Sequence, residues 1–186
     1  MIHCYLVRHA QSQPSREVDQ DDWPLSSLGS AQALELRDEL SAYGIERIYS
    51  SPYPRALATV KPLADALGCG VVVMDDLRER RLSTQYIDDW RVQVAKTWLD
   101  FDYAPPSGES SRACQQRMLN CLAQILRGTR ATRIAVCSHG NAIALLLNAL
   151  EPSFGFEQWG AMRNPHVYRL TWQADALDWV RESSID

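Results

Sequence analysis

The hexapeptide Leu6-Val7-Arg8-His9-Ala10-Gln11 closes an apolar run and sets an arginine beside a histidine. In an open α/β sheet, ligands are met where strands end at their carboxyl edge. Imidazole offers a neutral nitrogen nucleophile near pH 7, and guanidinium offers a forked donor shaped for phosphate oxygens. Together they point to phosphoryl transfer. A second junction of the same kind, Ile134-Ala135-Val136-Cys137-Ser138-His139-Gly140-Asn141, places His139 beside the free N–H groups of an expected helix N-terminus, a ready anion site. The field there disfavours imidazolium, and a bound phosphate dianion would restore it. At a third junction, Ser50-Ser51-Pro52-Tyr53-Pro54-Arg55-Ala56, Arg55 falls in the first helical turn, where a cation opposes the helix dipole and an anionic ligand would compensate. Each feature has a plain structural alternative: a solvated loop pair, a histidine satisfied by a carbonyl, an arginine with a packed stem. Repetition of such junctions along one chain favours chemistry.

Strand and helix patterns alternate, which predicts an α/β fold: a three-layer α/β/α sandwich with a mainly parallel central sheet. Strand signals cover Ile2 to Val7, Arg47 to Ser50, Val71 to Met74 and Ile134 to Cys137, and a closing hairpin is expected from Val167–Trp172 and Leu177–Val180. Helices are expected from the N-cap Ser26 to about Ala42, from Pro54 through Leu67, from about Ser110 to Leu126 and from Ala142 to Leu150, with Gly44 and Gly68 as stops. Between Asp75 and Ser107 the pattern is less regular. Ile87, Trp90, Val94, Trp98 and Phe101 share one helical face there, which predicts a short aromatic-rich helix.

The 186 residues suit one domain, 1–186, with a small cap segment at about 80–106. A net charge of −4 gives no global reason to expect nucleic acid or an anionic membrane as partner. No stretch has the roughly 18 apolar residues of a membrane span, and the first strand is too short for a signal-peptide core. The five cysteines form no Cys-x-x-Cys pair, which reads as reduced thiols in a cytoplasmic protein. Four histidines with no i, i+4 pair suggest no metal site.

Leu6-Val7-Arg8-His9, Pro24-Leu25-Ser26 with Gly29 and Gln32-Ala33, Ser50-Ser51-Pro52 with Arg55-Ala56 and Thr59, Leu77 with Glu79, Gly108-Glu109-Ser110, and Ser138-His139-Gly140 occur in that order. This set resembles the histidine phosphatase superfamily, with its phosphoglycerate mutase-like fold, over residues 2 to about 150. The resemblance implies a metal-independent phosphatase with no cofactor, acting on a small phosphorylated substrate or a phosphoprotein. His9 matches the nucleophile, and Arg8, Arg55 and His139 match the groups that hold the phosphate oxygens. Glu79 matches the acid that protonates the leaving oxygen and then takes a proton from the attacking water. A phosphoglycerate mutase-type transferase is the alternative, and a non-catalytic phosphate-binding protein on the same fold is a third reading. Pro14-Ser15 stands where mutases tend to carry Trp-Asn, and Arg80-Arg81-Leu82-Ser83-Thr84 follows Glu79 in place of a Gly-x-x-Glu-Gly pattern. Both departures favour the phosphatase. Ser15 could replace the lost asparagine contact with its hydroxyl. Arg80 and Arg81 could attract anionic substrates or form a solvated basic cluster. Trp90, Trp98 and Tyr103 could meet the organic part of the substrate or pack, and Asn164 could brace the site.

Overall fold

Continuous apolar runs at Ile2–Val7 and Ile134–Cys137 belong to strands covered on both faces. The computed structural model describes residues 1–84, 86–173 and 176–180. Its elements are β1 (Ile2–Arg8), α1 (Ser27–Ser41), β2 (Arg47–Ser50), α2 (Pro54–Leu67), β3 (Val71–Val73), α3 (Trp90–Leu99), α4 (Ser111–Gly128), β4 (Arg133–Ser138), α5 (Gly140–Leu150), α6 (Phe156–Gly160), β5 (His166–Gln173) and β6 (Ala176–Val180). Short 3-10 turns at Gln20–Asp22 and Asp75–Leu77 interrupt two of the loops.

The strands form one sheet in the order β3-β2-β4-β1-β5-β6. The β1–β4, β2–β4 and β2–β3 pairs are parallel, and β5 and β6 close the edge antiparallel. Side chains alternate between two cores. Cys4, Leu6, Ile134 and Val136 face a cluster built with Met118, Leu122 and Ile125 of α4 and with Ile143, Leu146 and Leu147 of α5. Tyr5, Val7, Ala135 and Cys137 face Leu36 and Leu40 of α1 and Val60 and Leu63 of α2. This is the expected α/β/α sandwich with a mostly parallel sheet.

Ser26 caps α1, its Oγ accepting from Gly29 N at 3.0 Å, and Gly44 and Gly68 take the left-handed conformation just past α1 and at the end of α2. The expected aromatic helix is α3, shorter than its apolar stripe. Ile87 and Phe101 lie outside it yet pack, with Trp98, against the α4–α5 core. The five-residue α6 was not expected, because one turn leaves no periodic signal.

Register is what positions the site. Arg8 pairs with Ser138 across β1 and β4, so His9 and His139 leave the sheet side by side at its carboxyl edge. Ser50 pairs with Cys137 across β2 and β4, which brings Ser51 up beside them.

Candidate functional site

His9 is fixed at three points. Its N–H donates to the carbonyl of Ser138 at 3.0 Å, and its carbonyl accepts from Asn164 Nδ2 at 2.7 Å. Its ring Nδ1 lies 2.6 Å from the carbonyl of Ala10. A carbonyl only accepts, so Nδ1 carries the proton and Nε2 keeps its lone pair. Burial, then the charges of Arg55 and Arg8, push the His9 pKa down to about 3 against the pull of the Ala10 carbonyl. The ring is therefore neutral at pH 7.

The His139 ring stands edge-on to His9, with centroids 5.0 Å apart, and is fully buried. Its Nε2 is 2.7 Å from Ser51 Oγ, and its Nδ1 is buried with no hydrogen-bond partner among the described residues. Burial, Arg55, His9, Arg117 and Arg8 in turn hold its pKa well below the usual histidine value. The ring nitrogen left without a protein partner is Nδ1, and in the Nδ1–H tautomer, with Nε2 accepting from Ser51, it is a donor for a ligand.

Arg8 donates from Nη1 to the carbonyls of Met162, at 2.5 Å, and Arg163, at 3.3 Å. Its guanidinium lies against Gly140, where a Cβ would come within 3.1 Å of Cζ and Nε. Arg55 is 5% exposed; its Nη1 donates to the carbonyl of Gln20 at 2.6 Å, and its guanidinium lies 4.9 Å from the centroid of the Tyr53 ring. Burial lowers both arginine pKa values and the Glu79 charge opposes the fall. Among the described residues neither arginine forms an ion pair. A buried and a partly buried cation, each held by carbonyls around a neutral imidazole, leave a concentration of positive charge that an anion would neutralise.

Glu79 follows the second 3-10 turn and reaches the N-terminus of α5. Its Oε1 accepts from Ala142 N at 2.9 Å and Arg80 N at 2.8 Å, and its Oε2 from Asn141 N at 3.1 Å. The five residues singled out from the sequence thus converge at one edge of the sheet. Among the described residues no cluster of three histidine, cysteine or acidic side chains is placed to hold a metal ion.

The neighbours of Glu79 differ from expectation. Arg80 is neither a substrate-attracting nor a solvated cation: it is 3% exposed, with Nη1 donating to Thr97 Oγ1 at 2.5 Å and Ser111 Oγ at 2.8 Å. Arg81 is tied to Asp19 and Asp21, both at 3.0 Å. Ser15 turns its hydroxyl to Glu17 N at 3.1 Å, closing a local turn. Trp98 donates from Nε1 to Asn141 Oδ1 at 3.3 Å, and Trp90 meets Trp159 of α6 edge-on at 6.1 Å. Residues that appeared in the sequence only as motif neighbours complete the site. Thr59 Oγ1 accepts from Ala10 N at 2.9 Å, Ser51 faces His139, and Tyr53 lies edge-on to the same ring at 5.0 Å. Their roles come from tertiary packing of β1, α2 and the β2–α2 and β4–α5 junctions, which no local pattern encodes.

The model of the histidine phosphatase superfamily (branch 1) matches residues 4–184. A probable phosphoglycerate mutase, GpmB, of Escherichia fergusonii is 31% identical, the match covering all of this chain and 94% of that protein. A mycobacterial glucosyl-3-phosphoglycerate phosphatase, solved with VO3, superposes with a TM-score of 0.81 at 25% identity over 99% of each chain. YhfR of Bacillus stearothermophilus superposes with a TM-score of 0.83 at 22% identity, covering 100% of this chain and 98% of that one.

Proposed function

The chain belongs to the histidine phosphatase superfamily, and from that premise we propose that it is a metal-independent phosphatase hydrolysing phosphomonoesters through a phosphohistidine on His9. The observation that carries this reading is the bond from His9 Nδ1 to the Ala10 carbonyl, which leaves Nε2 unprotonated beside Arg8, the buried Arg55 and an unpartnered His139 nitrogen. Nε2 attacks phosphorus. Arg8, Arg55 and His139 hold the non-bridging oxygens, whose charge is what a phosphoryl transition state needs stabilised. Glu79 gives a proton to the leaving oxygen as the P–O bond breaks, then takes one from the water that attacks phosphohistidine. The substrate is a small phosphorylated molecule, or a phosphoprotein, since the pocket recognises the shared group. Five free cysteines, four of them buried, support a cytoplasmic setting.

The similarity to a phosphoglycerate mutase favours a second reading, in which phosphohistidine is discharged to a substrate hydroxyl. The local turn made by Ser15, at the position where mutases carry asparagine, supports hydrolysis over this. Incubation with phosphomonoester should leave acid-labile phosphate on the protein but not on His9→Ala. With 2,3-bisphosphoglycerate and 3-phosphoglycerate, release of inorganic phosphate alone supports the phosphatase, and 2-phosphoglycerate would establish the mutase. No acid-labile phosphate on the unaltered protein would leave a non-catalytic phosphate binder.

A further inference from the structure

Glu79 lies in a segment whose carbonyls are held from outside, two of them by one arginine. The Arg117 side chain on α4 is 8% exposed. Its Nε and Nη2 grip the two oxygens of Glu109 at 2.8 and 2.6 Å, while Nη1 donates to the carbonyls of Asp76 at 2.6 Å and Arg78 at 3.1 Å. Between those two, Ser138 Oγ holds the carbonyl of Leu77 at 2.7 Å. Beyond Glu79, the N–H of Glu109 donates to the carbonyl of Arg81 at 2.7 Å. Gly108 permits that approach, since a Cβ there would stand 2.6 Å from the Leu82 carbonyl oxygen. The backbone on both sides of Glu79 therefore hangs on Glu109 and Arg117.

An arginine suits this task because its planar fork can meet a carboxylate along one edge and keep the other nitrogen for carbonyls. Burial works against its charge, but the hydrogen bonds it donates to Glu109, together with the negative charge around it, more than offset that and hold Arg117 above the ordinary arginine range. The side chain of Arg117 spends its hydrogen bonds on Glu109, on the carbonyls of Asp76 and Arg78 and on Cys114 Sγ.

We propose that the Glu109–Arg117 pair is a positioning device for the proton donor, setting the Glu79 carboxyl against the leaving-group oxygen. This rests on the reading of Glu79 as the general acid. A staple that only stabilised the fold would, when cut, lower the yield of active enzyme for every substrate alike. A staple that aims an acid matters in proportion to the leaving group's need for a proton. A nitrophenolate departs unaided, whereas an alkoxide does not.

The test measures kcat/KM for a series of phosphomonoesters, from p-nitrophenyl phosphate through phenyl phosphate to alkyl phosphates. It compares the unaltered protein with Glu79→Gln, Arg117→Met, Arg117→Lys, Glu109→Gln and the Glu79→Gln/Arg117→Met double variant. Because misplacement by about 1 Å can cost on the order of 100-fold, Arg117→Met should lose roughly 10-fold or more extra on alkyl phosphates relative to p-nitrophenyl phosphate. Arg117→Lys and Glu109→Gln should steepen the dependence less, and decide the matter if Arg117→Met does not fold. In the Glu79→Gln background, Arg117→Met should add nothing to the steepening. Steepening in Glu79→Gln with an unchanged slope in all Arg117 and Glu109 variants would overturn the positioning role alone. An unchanged slope in Glu79→Gln would overturn the acid assignment, and the positioning role with it.

Discussion

At the scale of single residues, the site depends on which nitrogen of His9 carries the proton. The Ala10 carbonyl assigns it to Nδ1, and burial with two arginines keeps Nε2 free down to about pH 3. Nitrogen NMR of ring-labelled protein should therefore show His9 as the neutral Nδ1–H tautomer across pH 4 to 7; an imidazolium signal growing in near pH 6.5, the ordinary histidine value, would contradict it. Gly140 tests the other side of the site. A methyl group there would stand 3.1 Å from Arg8 Cζ and Nε, so the guanidinium must retreat by a few tenths of an ångström. Gly140→Ala should lower kcat/KM for p-nitrophenyl phosphate by about 10-fold, an effect suited to a displaced, charge-assisted contact. The thermal midpoint should move by only a few degrees. Unchanged kinetics would mean that this face of Arg8 does not meet phosphate. Arg8, His9, Arg55 and His139 were read from strand-to-helix junctions, whereas Glu79 came only from the family resemblance. Arg80 was misread because its burial depends on Thr97 and Ser111, contributed by two other elements.

At the scale of elements, strands and long helices were legible because doubly covered parallel strands read as unbroken apolar runs and capped helices announce their ends. The 3-10 turns at Gln20–Asp22 and Asp75–Leu77 and the single-turn α6 are too short to show a period, yet they matter. The carbonyl of Gln20 seats Arg55, and Met162, just past α6, seats Arg8. The first turn of α1 shows how tightly an element and a site loop can be joined. Ser26 N donates to the carbonyl of Gln11 at 3.0 Å, and Gln11 N donates to Gln32 Oε1 at 3.0 Å, so the loop leaving His9 is tied to the helix. A Cβ at Gly29 would lie 2.0 Å from that same Gln11 carbonyl oxygen. Since the obstacle is backbone, it cannot rotate aside. Gly29→Ala should destabilise the protein by about 1–3 kcal/mol through overpacking. It should also cut kcat, because the segment that must yield begins two residues from the nucleophile. Urea unfolding midpoints and kcat would fall together; a stable, fully active variant would show that α1 can slide without moving the site. The Gly29 motif was visible in the sequence, but its partner Gln11 was not, since only tertiary packing brings them together.

At the scale of the whole molecule, two neutral histidines buried under one cluster of cations make folding itself a proton-linked equilibrium. The folded-state pKa of His9 is near 3 and that of His139 lies well below the ordinary value, whereas the unfolded chain binds protons at both near pH 6.5. Between those limits the unfolded state holds more protons, so stability rises with pH through the window and is lost as the pH falls below about 6.5. Above 6.5 neither ring contributes. The slope between pH 5 and 6 should approach two protons, roughly 2–3 kcal/mol per pH unit. The expectation can be separated from general charge effects by its sign. The chain carries a net charge of −4, so acidification in this range first relieves self-repulsion and would by itself stabilise the fold. Carboxylates with lowered pKa, such as Asp38 and Asp102, release their contribution only below about pH 4, the ordinary aspartate range. A fall in urea midpoint on going from pH 6.5 to 5, at constant m, therefore reports the buried imidazoles, and His9→Ala should remove about half of it. A midpoint that holds steady or rises over that interval, or a slope unchanged in His9→Ala, would mean that the folded protein accepts these protons, and that the neutral nucleophile inferred at His9 is not set by the fold.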